Sequence, residues 1–343
     1  MSLDRKQAFF NILHGEGDVP YLTSAWQHFI GHEYGAEAQA EAHIDFVKKW
    51  DWDYVKINPR SAYYSETWGA KFDHDDYGTG RSPRLTVTPI TKVEDVQKVV
   101  YVDPQQSAAL QEELQAAKLI HQSLSDRVVL QTVFSPLTVL LGLAALPRVN
   151  HHPIYGNAPV LTRDELLFTD VEATKKALDA IARTLADYAT LLVTPVEQGG
   201  AGADGIFYAE TGTASRFYFS HDEFKELSEP YDRIVLDAVG DHVKLLHTCK
   251  EHANPDWFTD YPIDALQWDV FLEGNPKATD DFDATPVVGP ASTLIAEGAD
   301  LDALRREVHE TIAEREGKPF LLAPSCTIPP HPGDGNLRIL REA

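Results

Sequence analysis

Eight short apolar runs alternate along this chain with longer segments of helical periodicity, and that alternation leaves few folds open. The runs are Val19–Ala25, Tyr54–Asn58, Val128–Phe134, Gly205–Ala209, Val243–Thr248, Ala265–Trp268, Thr285–Gly289 and Pro319–Ser325, each of strand length. Helical patterns fall at Ala36–Lys49, Gln106–Leu124, Asp170–Val193, Asp222–Val239 and Leu301–Arg315. Asp170 and Asp222 read as N-caps, with acids in the turn that follows. Parallel strands need long crossovers, usually helices, so eight strands in 343 residues predict an α/β fold, a (β/α)8 TIM barrel. An open doubly wound sheet is the alternative. No Pro- or Gly-rich linker divides residues 1–343 and no internal repeat is visible, so a single domain is expected. Two polar stretches, 63–92 and 150–161, are predicted as excursions over the barrel mouth, the first as a hairpin or loop. It contains Gly78-Thr79-Gly80-Arg81-Ser82-Pro83-Arg84, and the second contains His151, His152, Pro153 and Pro159. Long loops on a barrel usually serve as lids or substrate walls.

Composition narrows the function classes. Apolar residues make up 43% and charged residues 24% of the chain, an ordinary globular balance. The start, Met1-Ser2-Leu3-Asp4-Arg5-Lys6, leads into an amphipathic helix rather than the apolar core of a secretory signal. The longest apolar stretch, from about Pro136 to Pro147, is too short to span a bilayer. A cytoplasmic protein is expected. The net charge of −23 is spread along the chain, so nucleic acid and anionic membranes are not expected partners. It also argues against a polyanionic substrate, unless the pocket concentrates basic groups locally.

Barrel enzymes carry their chemistry at the C-terminal ends of their strands, and polar groups recur there. Ser24, Trp26, Gln27 and His28 follow the first run, and Lys56, Asn58, Pro59 and Arg60 the second. Tyr208 and Glu210 follow the fourth, His247 and Cys249 the fifth, Trp268 and Asp269 the sixth, and Ser325 and Cys326 the eighth. Singly, each has an ordinary reading: Trp26 and Trp268 as core, Lys56 as a paired interior charge, Glu210 as a helix cap. Together they predict a cavity in which His28, Arg60, Tyr208 and Glu210 act on a substrate held by Trp26, Asn58 and Trp268.

The two cysteines of the chain are Cys249, in His247-Thr248-Cys249, and Cys326. Residues i and i+2 of a strand share a face, so His247 and Cys249 offer an imidazole and a thiolate to one ion. Cys326 from another strand end completes a Cys2His set, the pattern of a zinc site that keeps one position open. Asp269 is the natural fourth ligand or the hydrogen-bond partner of His247. Such a site deprotonates a substrate thiol and suits attack on an activated methyl or alkyl group. Two buried packing cysteines, or a disulfide between them, are the alternatives. Gly200-Ala201-Gly202-Ala203-Asp204-Gly205 matches G-x-G-x-x-G, but it follows a helix and precedes a strand. A dinucleotide fingerprint has the reverse context, so the glycines are read as a helix end and αβ turn.

Several segments together resemble the uroporphyrinogen decarboxylase superfamily over nearly the whole chain. They include Asp53-Tyr54-Val55-Lys56, Glu66-Thr67-Trp68-Gly69, Thr132-Val133-Phe134-Ser135-Pro136-Leu137, Leu246-His247-Thr248-Cys249, Asp264-Ala265-Leu266-Gln267-Trp268-Asp269 and Cys326-Thr327-Ile328-Pro329-Pro330. The resemblance implies a (β/α)8 barrel. It embraces the decarboxylase of haem synthesis, cobalamin-linked thiol methyltransferases and the zinc-dependent methionine synthase barrel. In the methyltransferase branches a His-x-Cys and a later Cys bind zinc, positions that resemble His247, Cys249 and Cys326, with a carboxylate near Asp269. The decarboxylase branch uses arginines near the N-terminus, whereas the corresponding stretch here, Ser24-Ala25-Trp26-Gln27-His28-Phe29-Ile30, has none. The expectation is zinc-dependent methyl or alkyl transfer to a small thiol or other small organic substrate. The methyl group would come from a separate corrinoid protein, since no cobalamin-binding segment is evident. A metal-free decarboxylase or lyase, or a non-catalytic ligand-binding barrel, is the alternative. Barrels of this family often dimerise, which raises a homodimer as an expectation.

Overall fold

A computed structural model describes residues 3–78 and 80–343; Met1, Ser2 and Thr79 lie outside the described residues. All eight expected strands are present as one curled parallel sheet. In chain order the strands are β1 Tyr21–Thr23, β2 Val55–Ile57, β3 Lys71–Asp73, β4 Arg84–Val87, β5 Val129–Phe134, β6 Gly205–Thr211, β7 Val243–Thr248, β8 Ala265–Gln267, β9 Thr285–Val288 and β10 Phe320–Leu322. The sheet runs β1-β10-β9-β8-β7-β6-β5-β2, while β3 and β4 form a separate antiparallel hairpin. Its order is sequential, without the reversal of direction that marks a doubly wound sheet. The two end strands, β1 and β2, meet without a ladder. Asp53 N–H donates to Thr23 O at 3.0 Å, Thr23 N–H to the Asp53 carboxylate at 2.9 Å, and Ser24 Oγ to Tyr54 O at 2.7 Å. The fold is therefore a TIM-barrel-like single α/β domain.

The helices are α1 Arg5–Leu13, α2 Ala36–Trp50, α3 Tyr63–Thr67, α4 Ala108–Ser123, α5 Pro136–Leu143, α6 Arg163–Phe168, α7 Val171–Val193, α8 His221–Leu227, α9 Glu229–Ala238, α10 Leu301–Glu314 and α11 Asp334–Arg341. Asp170 caps α7 by accepting from Ala173 N–H. The expected single helix from Asp222 is instead two. Ser220, not Asp222, caps α8, in a reciprocal box with Glu223. Pro230 then sits in the first turn of α9, where its missing N–H costs nothing and the preceding helix has to stop. The apolar run after Ser135 is a short buried helix, α5. No helix among the described residues is long and apolar enough to cross a membrane.

Two apolar layers follow from strand alternation. Ile57, Ile206, Tyr208, Leu246, Leu266 and Leu322 face outward into the helical shell. Leu22, Leu130, Phe207, Leu245, Ala265, Val287 and Leu321 face inward, and Ala8, Phe9 and Ile12 of α1 join that inner cluster. The first helix thus plugs the N-terminal end of the barrel. The excursions are also joined: Leu85 on β4 exchanges backbone hydrogen bonds with Tyr155 and Asn157 of the second.

Gly200 and Gly205 answer packing needs rather than a nucleotide. A Cβ on Gly200 would lie 2.0 Å from Thr194 O, and one on Gly205 would lie 2.0 Å from Val243 O of the neighbouring strand. Gly205→Ala is therefore expected to destabilise the fold by about 3 kcal/mol, at the upper end for an overpacked site. A urea midpoint equal to the parent's would contradict this.

Candidate active site

Inward-facing residues at the C-terminal strand ends enclose a cavity of about 400 Å³, within the range of small-molecule sites. β7 contributes His247 and Cys249 through its inward positions, and the segment after β10 contributes Cys326. Their ligand atoms, one per residue, all lie within 4.8 Å of one another. Cys249 Sγ is 3.7 Å from Cys326 Sγ, and Cys326 Sγ is 3.9 Å from His247 Nε2. Both cysteines are free thiols, so the disulfide alternative is not what the structure holds. Two sulfurs at zinc bond lengths in a tetrahedron would be about 3.8 Å apart, so the spacing of the two thiols matches that of a zinc site. The thiols behave as one coupled pair. The contact with Cys249 and the nearby His247 hold Cys326 well below the usual thiol range, and the same contact with burial drives Cys249 well above it.

Trp26, His28 and Asn58 also line the cavity. His28 Nδ1 is 2.6 Å from Glu33, a carboxylate only 1% exposed that also accepts from the Tyr77 hydroxyl at 2.9 Å. An Nδ1–H donated to that carboxylate would orient the His28 ring.

The other expected residues lie elsewhere. On β6 the cavity takes Phe207, Ala209 and Thr211, so Tyr208 and Glu210 face the opposite way. Tyr208 donates to Asp232 at 2.7 Å, and Glu210, fully buried, accepts from Thr213 at 2.8 Å. Burial and the neighbouring Asp232 carboxylate push Glu210 well above the usual carboxylate range, a structural acid pair outside the barrel. A register shift between Ala209 and Thr211 places Glu210 at a bulge. Trp268 also points outward, donating to Pro276 O at 2.9 Å. Asp269 stands outside the His–Cys cluster; it accepts from Phe271 N–H at 3.0 Å and makes no hydrogen bond to His247 among the described residues. His247 Nδ1 is buried without a partner there.

Arg60 does not line the cavity either. It is enclosed by Glu66 at 2.8 Å, Glu113 at 3.2 Å and Glu112, with its guanidinium 4.5 Å from the Tyr34 ring centroid. Burial pushes Glu113 up to about 8, and Arg60 pulls it back only in part.

Three cations that the sequence did not assign to the site line the cavity: Lys56, read there as a paired interior charge, Arg81 and Arg148. Lys56 is buried at 5% exposure. It donates to Asn58 Oδ1 and lies 4.7 Å from the Phe207 ring centroid. Burial pushes its ammonium down to about 7. Arg148 donates to Ser61 O at 3.1 Å, and its guanidinium is 5.4 Å from the Phe134 centroid. Arg81 donates to Thr327 O at 2.6 Å, tying the first excursion to the segment that carries Cys326. The local concentration of basic groups that an anionic substrate requires is therefore present. A signal existed for Lys56, which shares its strand face with Asn58; Arg81 sits on the first excursion and Arg148 on the segment after α5, where no periodicity points to a cavity.

A family model described as uroporphyrinogen decarboxylase (URO-D) matches residues 26–343. Among solved structures, a methyltransferase from Methanosarcina mazei is 18% identical, with 99% of each chain covered and a TM-score of 0.72. A B12-independent methionine synthase from Shewanella sp. W3-18-1, in complex with selenomethionine, is 12% identical, covers 95% of this chain and 97% of its own, and gives a TM-score of 0.53. A search of curated proteins finds no match to the sequence. At these identities the structures speak for the fold, a barrel of the same kind. The family model spans all but the first 25 residues, so this chain belongs to the uroporphyrinogen decarboxylase family.

Proposed function

We propose that this chain is a zinc-dependent methyl- or alkyltransferase that acts on a small thiol. What carries it is the meeting of His247 Nε2, Cys249 Sγ and Cys326 Sγ within 4.8 Å at the cavity. Zinc held there by two thiolates and an imidazole would leave a position open and would supply the Lewis acidity that favours the thiolate form of a substrate thiol at neutral pH. His247, Cys249 and Cys326 would hold it. His28 Nε2, with its ring oriented by Glu33, accepts the proton that the thiol gives up. Trp26 and Phe207 supply the apolar wall that keeps water from the sulfur. A methyl donor on a separate corrinoid protein, and assembly of the chain as a homodimer in the cytoplasm, belong to the same proposal. The methyltransferase and methionine synthase structures with this barrel support it. A decarboxylase would find cations for substrate carboxylates in Lys56, Arg81 and Arg148, but no Asp or Glu is among the described lining residues, so no side-chain carboxyl stands ready to protonate a carbanion.

The test is metal content by mass spectrometry on protein purified without chelator or affinity nickel, beside Cys326→Ala. About one zinc per chain, lost in the variant, is the expected result for a Cys2His site. No zinc in the parent, together with turnover of uroporphyrinogen to coproporphyrinogen, would replace the proposal with the decarboxylase.

A further inference from the structure

We infer that Thr211, the extra residue of a bulge in β6, is a positioning residue for Cys249, held in place by a buried Glu210–Asp232 pair behind the strand. This role deepens the metal-site reading above and rests on it. The parallel ladder between β6 and β7 is led by Val243 N–H, which donates to Asp204 O at 3.1 Å. Continued two residues at a time, it would bring Cys249 N–H to Glu210 O. The register instead shifts between Ala209 and Thr211, and Cys249 N–H donates to Thr211 O at 2.8 Å. Bulges are rare in parallel pairs and gather beside active sites, where they re-aim a side chain. This one falls opposite a thiol of the sulfur cluster, and Thr211 itself lines the cavity.

The bulge is strained and braced. Thr211 has a φ of 54°, a left-handed conformation that a β-branched residue rarely adopts. Of the nine non-glycine residues with positive φ among the described residues, six (Thr211, Arg216, Phe217, Lys250, His252 and Asn254) lie where β6 and β7 run out into their loops. Those loops are tied together: Arg216 N–H donates to Glu251 O at 3.1 Å, and Asn254 Nδ2 to Ala214 O at 2.7 Å. Strain of this kind persists only where the surroundings over-determine it, and around Thr211 they do. Hydroxyls donate in series, Ser135 to Thr138 at 2.9 Å, Thr138 to Thr211 at 3.1 Å and Thr211 to Arg148 O at 3.1 Å. Glu210 O, released from the ladder, and Glu210 Oε2 both lie 2.8 Å from Thr213 Oγ1. The other carboxyl oxygen, Oε1, is buried and accepts from no described donor, as expected of a carboxyl that keeps its proton beside the Asp232 carboxylate. Asp232 is fixed in turn by the Tyr208 and Tyr261 hydroxyls, at 2.7 and 3.0 Å. A chain of buried contacts thus runs from α9 through the bulge to the backbone of Cys249.

Thr211→Val keeps the shape and loses both hydrogen bonds of the hydroxyl, and Glu210→Met removes the carboxyl; Thr211→Ser and Glu210→Gln are their conservative partners. Two readouts apply to the full chain. One is zinc affinity, by competition with a chromogenic chelator, with the sulfur-to-metal charge-transfer band of cobalt(II)-loaded protein as the check on thiolate ligation. The other needs no metal: the rate at which diamide, which takes up the two thiol hydrogens, closes a Cys249–Cys326 disulfide. That rate reports the placement of two sulfurs that stand 3.7 Å apart. Zinc should bind about 10- to 100-fold more weakly in Thr211→Val and Glu210→Met, the usual cost of losing a group behind a metal ligand. Disulfide closure should slow in the same two, and Thr211→Ser and Glu210→Gln should retain both properties. If Glu210→Met fails to melt cooperatively, the Thr211 pair decides. A lower melting temperature with zinc affinity and closure rate unchanged would reduce the bulge to packing and overturn the role. Slow closure in Thr211→Val of a protein whose parent binds no zinc would sink the metal reading alone. Zinc bound equally by parent and variants, with equal closure rates, would sink the positioning role alone.

Discussion

Cys249→Ala is expected to lose its zinc and, with it, more than about 100-fold of its methyl-transfer activity, since even substitutions behind a metal ligand cost 10- to 100-fold in affinity. Cys249 and Cys326 are 3.7 Å apart, so removing either leaves one thiolate and one imidazole, too few to hold zinc in a closed three-point set. The fold should survive, because one small buried sulfur is lost from a large core. Asp269→Asn is the informative contrast. Its carboxylate is occupied by Phe271 N–H and stands outside the cluster, so this variant should keep about one zinc per chain if the site is Cys2His. Full activity in zinc-free Cys249→Ala protein would end the proposal. Zinc lost from Asp269→Asn would show that the aspartate moves into the site when the ion is bound.

Arg60→Met should be among the most destabilising single changes, by about 3–5 kcal/mol, the cost of breaking a buried ion cluster by removing one partner. The side chain of Arg60 is 4% exposed, and its partners Glu66, Glu112 and Glu113 are left without their cation. The loss should depend on pH. Burial already raises Glu113 to about 8 from an ordinary 4.5, and without Arg60 it rises further. Between those values the unfolded chain releases a proton that the folded chain keeps, so stability falls as pH rises through the window. Parent and variant share that slope up to about pH 8; above it the parent's folded Glu113 is ionised and the variant's is not, so the deficit of Arg60→Met should be larger near pH 9 than near pH 6. Urea unfolding at both values checks this; an equal deficit at both would place its cause in lost packing against Tyr34 rather than in buried charge.

The first prediction turns on strand parity, which also separates what the sequence reveals from what it hides. The eight strands were legible because a barrel strand buried on both faces reads as a short run rich in apolar and β-branched residues with few interruptions, as in Val129–Phe134 and Val243–Thr248. His247 and Cys249 were legible for the opposite reason: the i, i+2 spacing of two polar residues states that they share a face, whichever face it is. Tyr208 and Glu210 share a face too, but it is the outer one. Nothing in a run buried on both sides marks which parity is inward, and only pairing to β7 decides it. Arg60 illustrates a second limit. It follows β2 by three residues, and in that turn it swings back to Glu66 on α3 and, far along the chain, to Glu113 on α4. Arg81 and Arg148 show the reverse, since irregular segments bring them to the cavity through single backbone hydrogen bonds that leave no periodic trace. The cap of α8 moved from Asp222 to Ser220 because Ser220 and Glu223 satisfy each other's backbone donors, a reciprocity that outweighs a lone aspartate.

The seam between the first two strands has a consequence for how the molecule is made. Because β1 has no ladder with β2, its ladder partner is β10, where Tyr21 pairs with Phe320. A ribosome adding about 5–20 residues per second delivers that partner about 300 residues later, after an interval of about 15–60 s. Until then Tyr21–Thr23 is an open edge, and Phe9 and Ile12 on α1 lack most of the inner layer that buries them. The nascent chain therefore carries its stickiest surface at the end that emerges first, and release of a chain cut short after β9 would leave that surface exposed for good.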